Sequence, residues 1–118
     1  MFATKKEIID VIQKIKEEHI LILVEGKKDK AALQKLGLTN IVILNGKDIW
    51  NRLEGIKAKE VLILTDFDKQ GKKLYYKIAK DLEQLHIKVN KKYREFFQKK
   101  TKLSQIEGMD TYIENLEQ

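Results

Sequence analysis

Four apolar residues, Val61-Leu62-Ile63-Leu64, run directly into Thr65-Asp66-Phe67-Asp68-Lys69-Gln70-Gly71, and a helical pattern follows. A short apolar run bounded by charge reads as a strand buried on both faces, the type found in parallel sheets covered by helices. Such sheets place their ligands at the carboxyl ends of the strands. Alternate residues of an extended segment lie about 6–7 Å apart and point the same way, so Asp66 and Asp68 are expected to aim into one crevice. Two such anions repel unless a cation sits between or beside them. With hard oxygen donors and no cysteine in the chain, the expected cation is Mg²⁺, with Mn²⁺ as a substitute.

The rest of the chain supplies the other layers. Thr4 and Glu7 form a capping box ahead of Ile8, Ile12 and Ile15, which predicts an amphipathic helix over residues 5–18. Ile20–Val24 is a first buried strand, broken by Glu25-Gly26. Ala31, Ala32, Leu33 and Leu36 mark a helix from Lys28 that Gly37 ends. Ile41–Leu44 is a second strand, closed by an Asn45-Gly46 turn, and a short helix with Ile49, Trp50 and Leu53 follows, Trp50 being expected in the core. After Gly71, the stripe Leu74, Ile78, Leu82 and Leu85 predicts a long helix. Ile87 and Val89 alternate as a fourth strand near a sheet edge. A helix over 92–100 gathers Tyr93, Phe96 and Phe97 on one side. Residues 106–110 read as a loop or short strand, and Tyr112, Ile113 and Leu116 as a last helix. Strands alternating with helices give an α/β fold of three layers, α/β/α, around a mainly parallel four-stranded sheet.

Composition bounds the function. The 118 residues are 36% charged and 42% hydrophobic, as in a folded soluble protein. No apolar run is long enough to span a membrane and the first residues lack the apolar core of a signal peptide, so a cytoplasmic location is expected. Without cysteine there are no disulfides, thiol chemistry or Cys-type zinc sites. The net charge of +6 is local: residues 88–102 carry seven cations, among them Lys91, Lys92 and Arg94, against Glu95 alone. A basic face of this kind suits a polyanion such as nucleic acid.

Three carboxylates follow strands: Glu25 the first, Asp66 and Asp68 the third. If those strands are neighbours, the three meet at one sheet edge and can hold one or two divalent ions. Phosphoryl transfer uses such a cluster: metal neutralises charge on the phosphate while a carboxylate handles the proton of the attacking or leaving oxygen. Gly26 and Gly71 leave room for a phosphate backbone at helix amide ends. Lys27, Lys28, Lys69, Lys72 and Lys73 lie in the same turns, and the Asn45-Gly46 turn faces the same crevice. Asp68 also suits the cap of the helix that starts near Lys69, and Asp29 the first turn of its own helix. Leu64-Thr65-Asp66-Phe67-Asp68 looks, in addition, like the nucleophile strand of haloacid-dehalogenase phosphatases, a reading that leaves Glu25-Gly26 without a role.

Val24-Glu25-Gly26-Lys27-Lys28-Asp29, with Thr65-Asp66-Phe67-Asp68-Lys69-Gln70-Gly71 after it, resembles the Toprim domain shared by bacterial primases, topoisomerases, OLD-family nucleases and the maturase of 5S ribosomal RNA. Ile106-Glu107-Gly108-Met109-Asp110 looks like the tail motif of small standalone members related to that maturase. The resemblance implies a single Toprim domain over residues 1–118, with its core at about 18–90, a basic segment at 88–102 and a closing helix at about 109–117. It also implies a general acid/base role for Glu25 and Mg²⁺ coordination by Asp66 and Asp68, with Asp29 and Glu107 in support. The expected activity is Mg²⁺-dependent phosphodiester cleavage of nucleic acid, structured RNA before DNA. The alternative is a non-catalytic module that binds nucleic acid or a protein partner supplying further domains.

Overall fold

The computed structural model describes residues 1–117. Its strands are β1 (Leu21–Val24), β2 (Ile41–Ile43), β3 (Glu60–Ile63) and β4 (Lys88–Asn90), paired in the order β2-β1-β3-β4 with every pairing parallel. The helices are α1 (Lys5–Glu18), α2 (Lys27–Lys35), α3 (Ile49–Glu54), α4 (Lys69–Gln84), α5 (Lys92–Lys100) and α6 (Met109–Glu114), the last preceded by a 3₁₀ turn at Ile106–Gly108.

Alternation along the strands divides the core. Ile22, Val24, Leu62 and Leu64 face a layer made by α1, α2, α5 and α6, where Ile8, Ile12, Leu33, Phe97 and Ile113 meet. Leu23, Val61 and Ile63 face the opposite layer, where Leu53 of α3 and Ile78 and Leu82 of α4 pack. Both faces are covered, which is why β1 and β3 are almost uniformly apolar.

Local signals act as expected at the helix ends. Thr4 and Glu7 form the reciprocal capping box of α1, and Gly37, at φ 89°, follows α2 in the left-handed region. His19 and His86, both exposed, occupy the same region just beyond α1 and α4. Among the described residues no helix is long and apolar enough to cross a membrane.

Three expectations need correction. Trp50 is 36% exposed, because α3 is a six-residue helix whose fully buried contact is Leu53. Residues 106–110 are helical, a 3₁₀ turn leading into α6. Arg94 is not part of the basic surface: it is 3% exposed, inside the layer that α5 packs onto the sheet.

Candidate functional site

Strand order locates the site. From β1 the chain steps to β2 on one side and later returns to β3 on the other, so the direction of winding reverses between β1 and β3. Helices α2 and α4 leave toward opposite faces of the sheet. A crevice opens at the carboxyl ends of the two strands at such a point. Leu23 is in register with Ile63 and the Leu64 N–H donates to the Leu23 carbonyl at 2.8 Å. Glu25 and the Asp66–Asp68 segment therefore emerge side by side.

The crevice encloses about 410 Å³ and is lined by Glu25, Gly46, Asp66, Asp68, Gly71 and Lys73, with Gln70, Leu74 and Lys77 completing the wall. Asp66 and Asp68 are half-buried and the intervening Phe67 is turned into the core, the alternation expected of an extended segment. Each aspartate has one oxygen fixed by backbone. Asp66 Oδ1 accepts from the Ile106 N–H at 2.9 Å. Asp68 Oδ1 accepts from the Gly71 N–H at 2.7 Å and so caps α4. The second oxygen of each carboxylate makes no hydrogen bond among the described residues. Glu25 is exposed, and its carboxylate has no hydrogen-bond or ion-pair partner there. Its own carbonyl accepts from Asn45 N–H at 2.9 Å, which brings the Asn45-Gly46 turn, with φ of 60° and 70°, against it.

Gly71 has a structural task. A Cβ there would collide with the backbone carbonyl of Asp66, and Thr65 Oγ1 donates to the Gly71 carbonyl at 2.7 Å. The first turn of α4 is thus pressed onto the aspartate segment. Gly71 therefore has a packing role in addition to its place in the crevice wall. Asp29 Oδ2 accepts from the Gly26 N–H at 3.1 Å, closing the first turn of α2. Burial raises the Asp29 carboxyl above its ordinary value; the Gly26 hydrogen bond opposes this, and the negative charges of Asp66, Glu107 and Glu25 add to the rise. The field of the acidic cluster therefore reaches Asp29, although Asp29 does not line the crevice.

Behind the aspartates lies Arg94. Its guanidinium donates to the carbonyls of Ile63 at 3.2 Å, Thr65 at 2.8 Å and Asp66 at 3.1 Å. It packs against the rings of Phe67 and Tyr75, 4.9 and 4.5 Å from their centroids. Burial lowers its pKa to about 10, which leaves it charged at neutral pH. A fixed cation thus holds the backbone of the segment whose side chains form the acidic wall. The main-chain link from Phe67 N–H to the Ser104 carbonyl, 2.7 Å, ties the same segment to the tail.

The remaining expected residues are distributed more widely. Lys27 and Lys69 open α2 and α4, exposed. Lys28 and Glu107 share a separate depression with Asp110. Lys72 lies one residue outside the crevice wall, and Lys91 and Lys92 line a different groove beside β4. The structural roles of Arg94 and the Ile106 N–H escaped sequence reasoning. Both act through main-chain contacts about 30 to 40 residues distant, which no periodicity records.

The donor set suits a hard divalent ion. Three carboxylates line one crevice, while among the described residues no three acidic or histidine side chains close around a common point. An open arrangement of this type fits Mg²⁺, which keeps several waters and takes one or two protein carboxylates.

Comparison with known proteins gives the family of the fold. The Toprim domain model matches residues 19–91, and the chain belongs to that family. The family gives it a metal-binding role connected with nucleic acid. Among individual proteins it is similar to a UPF0292 protein of Methanocaldococcus jannaschii, 34% identical over 116 residues, 92% of this chain and 91% of that one. A UPF0292 protein of Pyrococcus abyssi is 36% identical over 97 residues, 80% of this chain and 74% of its own. A solved structure of a protein from Aquifex aeolicus superposes with a TM-score of 0.72 at 34% identity, covering 83% of this chain and 94% of that one.

Proposed function

We propose that the chain is a Mg²⁺-dependent phosphodiesterase acting on nucleic acid, with structured RNA as the preferred substrate. One observation carries this reading: Glu25, Asp66 and Asp68 line a single crevice at the point where the winding of a Toprim sheet reverses. Asp66 and Asp68 are the groups to hold the ion, each with one oxygen engaged by backbone and one left over. A bound Mg²⁺ supplies charge neutralisation at the phosphate.

Glu25 has the other task. Exposed and without a partner, its carboxylate is free to take a proton from an attacking water and to return one to the leaving oxygen as the P–O bond breaks. Lys73 in the crevice wall, and Lys69 and Lys72 beside it, are the cations for the flanking phosphates. The preference for RNA rests on the likeness of Ile106-Glu107-Gly108-Met109-Asp110 to the tail motif of the 5S ribosomal RNA maturase relatives. Mn²⁺ is expected to replace Mg²⁺. We assign this action to a single Toprim domain over residues 1–118, working in the cytoplasm.

A panel of labelled structured RNAs, single-stranded DNA and duplex DNA, incubated with the purified chain in Mg²⁺ and then Mn²⁺, tests the reading. Cleavage by the wild type that disappears in the Asp66→Asn, Asp68→Asn double variant is the expected result, and cleavage unchanged in that variant contradicts it. The open arrangement of the three acids favours one second reading, a module that binds nucleic acid and completes its metal site with a partner. It predicts binding without turnover under either ion.

A further inference from the structure

The largest cavity described, about 920 Å³, is not the acidic crevice. It is a groove along the free edge of β4, between the end of α1 and the outer face of α4. The basic segment of the sequence opens into it through Lys88, Lys91 and Lys92. A second depression of about 360 Å³ shares Tyr75, Tyr76 and Lys91 with it and continues to Lys72. Lys72 adjoins Lys73, which lines the acidic crevice. All three openings thus share α4: the crevice takes Lys73, Leu74 and Lys77, and the two depressions take Lys72, Tyr75, Tyr76 and Lys80.

Among these residues Tyr76 is 71% exposed, the most exposed aromatic side chain described. Its position is nonetheless defined. The Tyr76 ring meets Tyr75 edge-on, with centroids 5.3 Å apart and planes at 76°. Tyr75 in turn lies against the buried guanidinium of Arg94, the group that holds the Asp66 carbonyl. The same buried cation thus braces both the aromatic ledge and the aspartate segment. Eight residues of helix separate Asp68 from Tyr76, about 12 Å along the axis of α4.

The charges around the ledge favour an anion. Lys72, Lys80, Lys91 and Lys92 have no ion-pair partner among the described residues, and all four line one or both depressions. Of the carboxylates in the groove, Glu18 accepts from the Tyr93 hydroxyl at 2.7 Å, and Glu60 is engaged by Asn90 at 3.2 Å and Lys88 at 3.8 Å. In the second depression Glu95 is engaged by Lys99 at 3.8 Å, so over both depressions Glu83 remains, one acid against four unpaired lysines. A groove of unpaired cations around an exposed aromatic face is the combination that binds single strands, the cations following the backbone and the ring stacking an unpaired base. Duplexes hide their base faces and cannot use the ring.

We propose that this groove binds single-stranded nucleic acid, an unpaired base stacking on Tyr76 and the backbone lying on Lys72, Lys80, Lys91 and Lys92. The proposal rests on the nucleic-acid reading above and makes it more specific: a single-stranded stretch next to the scissile bond is held by α4 and led into the acidic crevice.

The test is fluorescence anisotropy in EDTA, where no cleavage occurs, with fluorescein-labelled oligo-dT and oligo-U of about 12 nucleotides and a duplex of equal length. Single strands bind more tightly than the duplex; Tyr76→Ala weakens single-strand binding about tenfold and brings it to the duplex level, while Tyr76→Trp restores it. The Lys91→Gln, Lys92→Gln variant lowers the slope of log affinity against log salt by about 1.4, near 0.7 for each charge removed. In the Trp50→Phe background the fluorescence of Tyr76→Trp is quenched as oligo-dT binds. Tyr76→Ala binding single strands as the wild type does overturns the ledge, as does a lack of binding to every oligonucleotide. The outcomes separate from those of the crevice. Cleavage indifferent to Tyr76→Ala refutes the groove alone, and Tyr76-dependent binding without cleavage refutes the phosphodiesterase reading alone.

Discussion

The acidic crevice and the groove beside β4 lie on the same protein and are built in opposite ways. The crevice is made of main-chain geometry: at the ends of β1 and β3, a capped helix and a 3₁₀ turn each contribute a backbone N–H that fixes one aspartate carboxylate. The groove is made of side chains from the end of α1, α4, β4 and the start of α5, and of its lysines Lys80, Lys91 and Lys92 have no ion-pair partner among the described residues while Lys88 pairs with Glu60. A reacting centre needs oxygen atoms held to within fractions of an ångström. A path for a flexible polyanion needs only the right charge and a flat ring. Arg94 touches both, and substitutions can therefore separate them or strike them together.

The largest effect belongs to that shared support. Arg94→Met leaves the carbonyls of Ile63, Thr65 and Asp66 buried without their donor, a loss of about 3 kcal/mol or more. A fall in Tm of about 10 °C or more, together with loss of cleavage and of single-strand binding, is the expected result. Gly71→Ala comes next, since its Cβ meets the Asp66 backbone. It should cost about 2–3 kcal/mol in a thermal or urea melt and abolish cleavage while single-strand binding in EDTA survives. An effect on the groove equal to that on the crevice would break the distinction between the two regions.

Smaller effects sharpen it. Glu25→Gln removes a carboxylate without internal partners, so stability stays within about 0.5 kcal/mol while cleavage falls about 100-fold or more. Asp68→Ala, by contrast, loses a helix cap and costs about 1 kcal/mol in addition to activity. The smallest effect concerns Asp29. Its raised carboxyl means that the folded chain favours the protonated form. That stabilisation is fully present below the unfolded value near 3.9 and is lost as pH rises through the higher folded value. Asp29→Asn carries no charge at any pH, so in EDTA near pH 7 its Tm should exceed that of the wild type by about 2 °C. The gain should vanish in melts near pH 3, and a gain that persists there contradicts the electrostatic account.

The crevice was legible in the sequence and the groove was not, for physical reasons. Apolar runs ending in Glu25 and in Asp66-Phe67-Asp68 announce buried strands with acids at one edge, because parallel strands end on the same side. The capping roles of Asp68 and Asp29 follow from local spacing. The adjacency of β1 and β3 does not, since only tertiary pairing decides it. Arg94 stands in the sequence among lysines that face solvent; its partners are carbonyls about 30 residues away, and nothing in the helical spacing of 92–100 tells a solvated arginine from a buried one. Trp50 misled in the opposite sense: a large ring normally adds to a core, but α3 offers only one turn and Leu53 fills its contact. Tyr76 carries no sequence signal beyond being an aromatic on the outer side of an amphipathic helix. Its setting depends on Tyr75, Arg94 and the edge of β4 coming together.

The central claim is that the crevice between β1 and β3 holds a divalent ion through Asp66 and Asp68. Titration of the purified chain with Mn²⁺, followed by the loss of the free-ion electron paramagnetic resonance signal, addresses it without reference to any substrate. The account predicts saturable Mn²⁺ binding that Mg²⁺ displaces and that the Asp66→Asn, Asp68→Asn variant, folded as the wild type is, no longer shows. Equal binding by wild type and variant, or none by either, would contradict it.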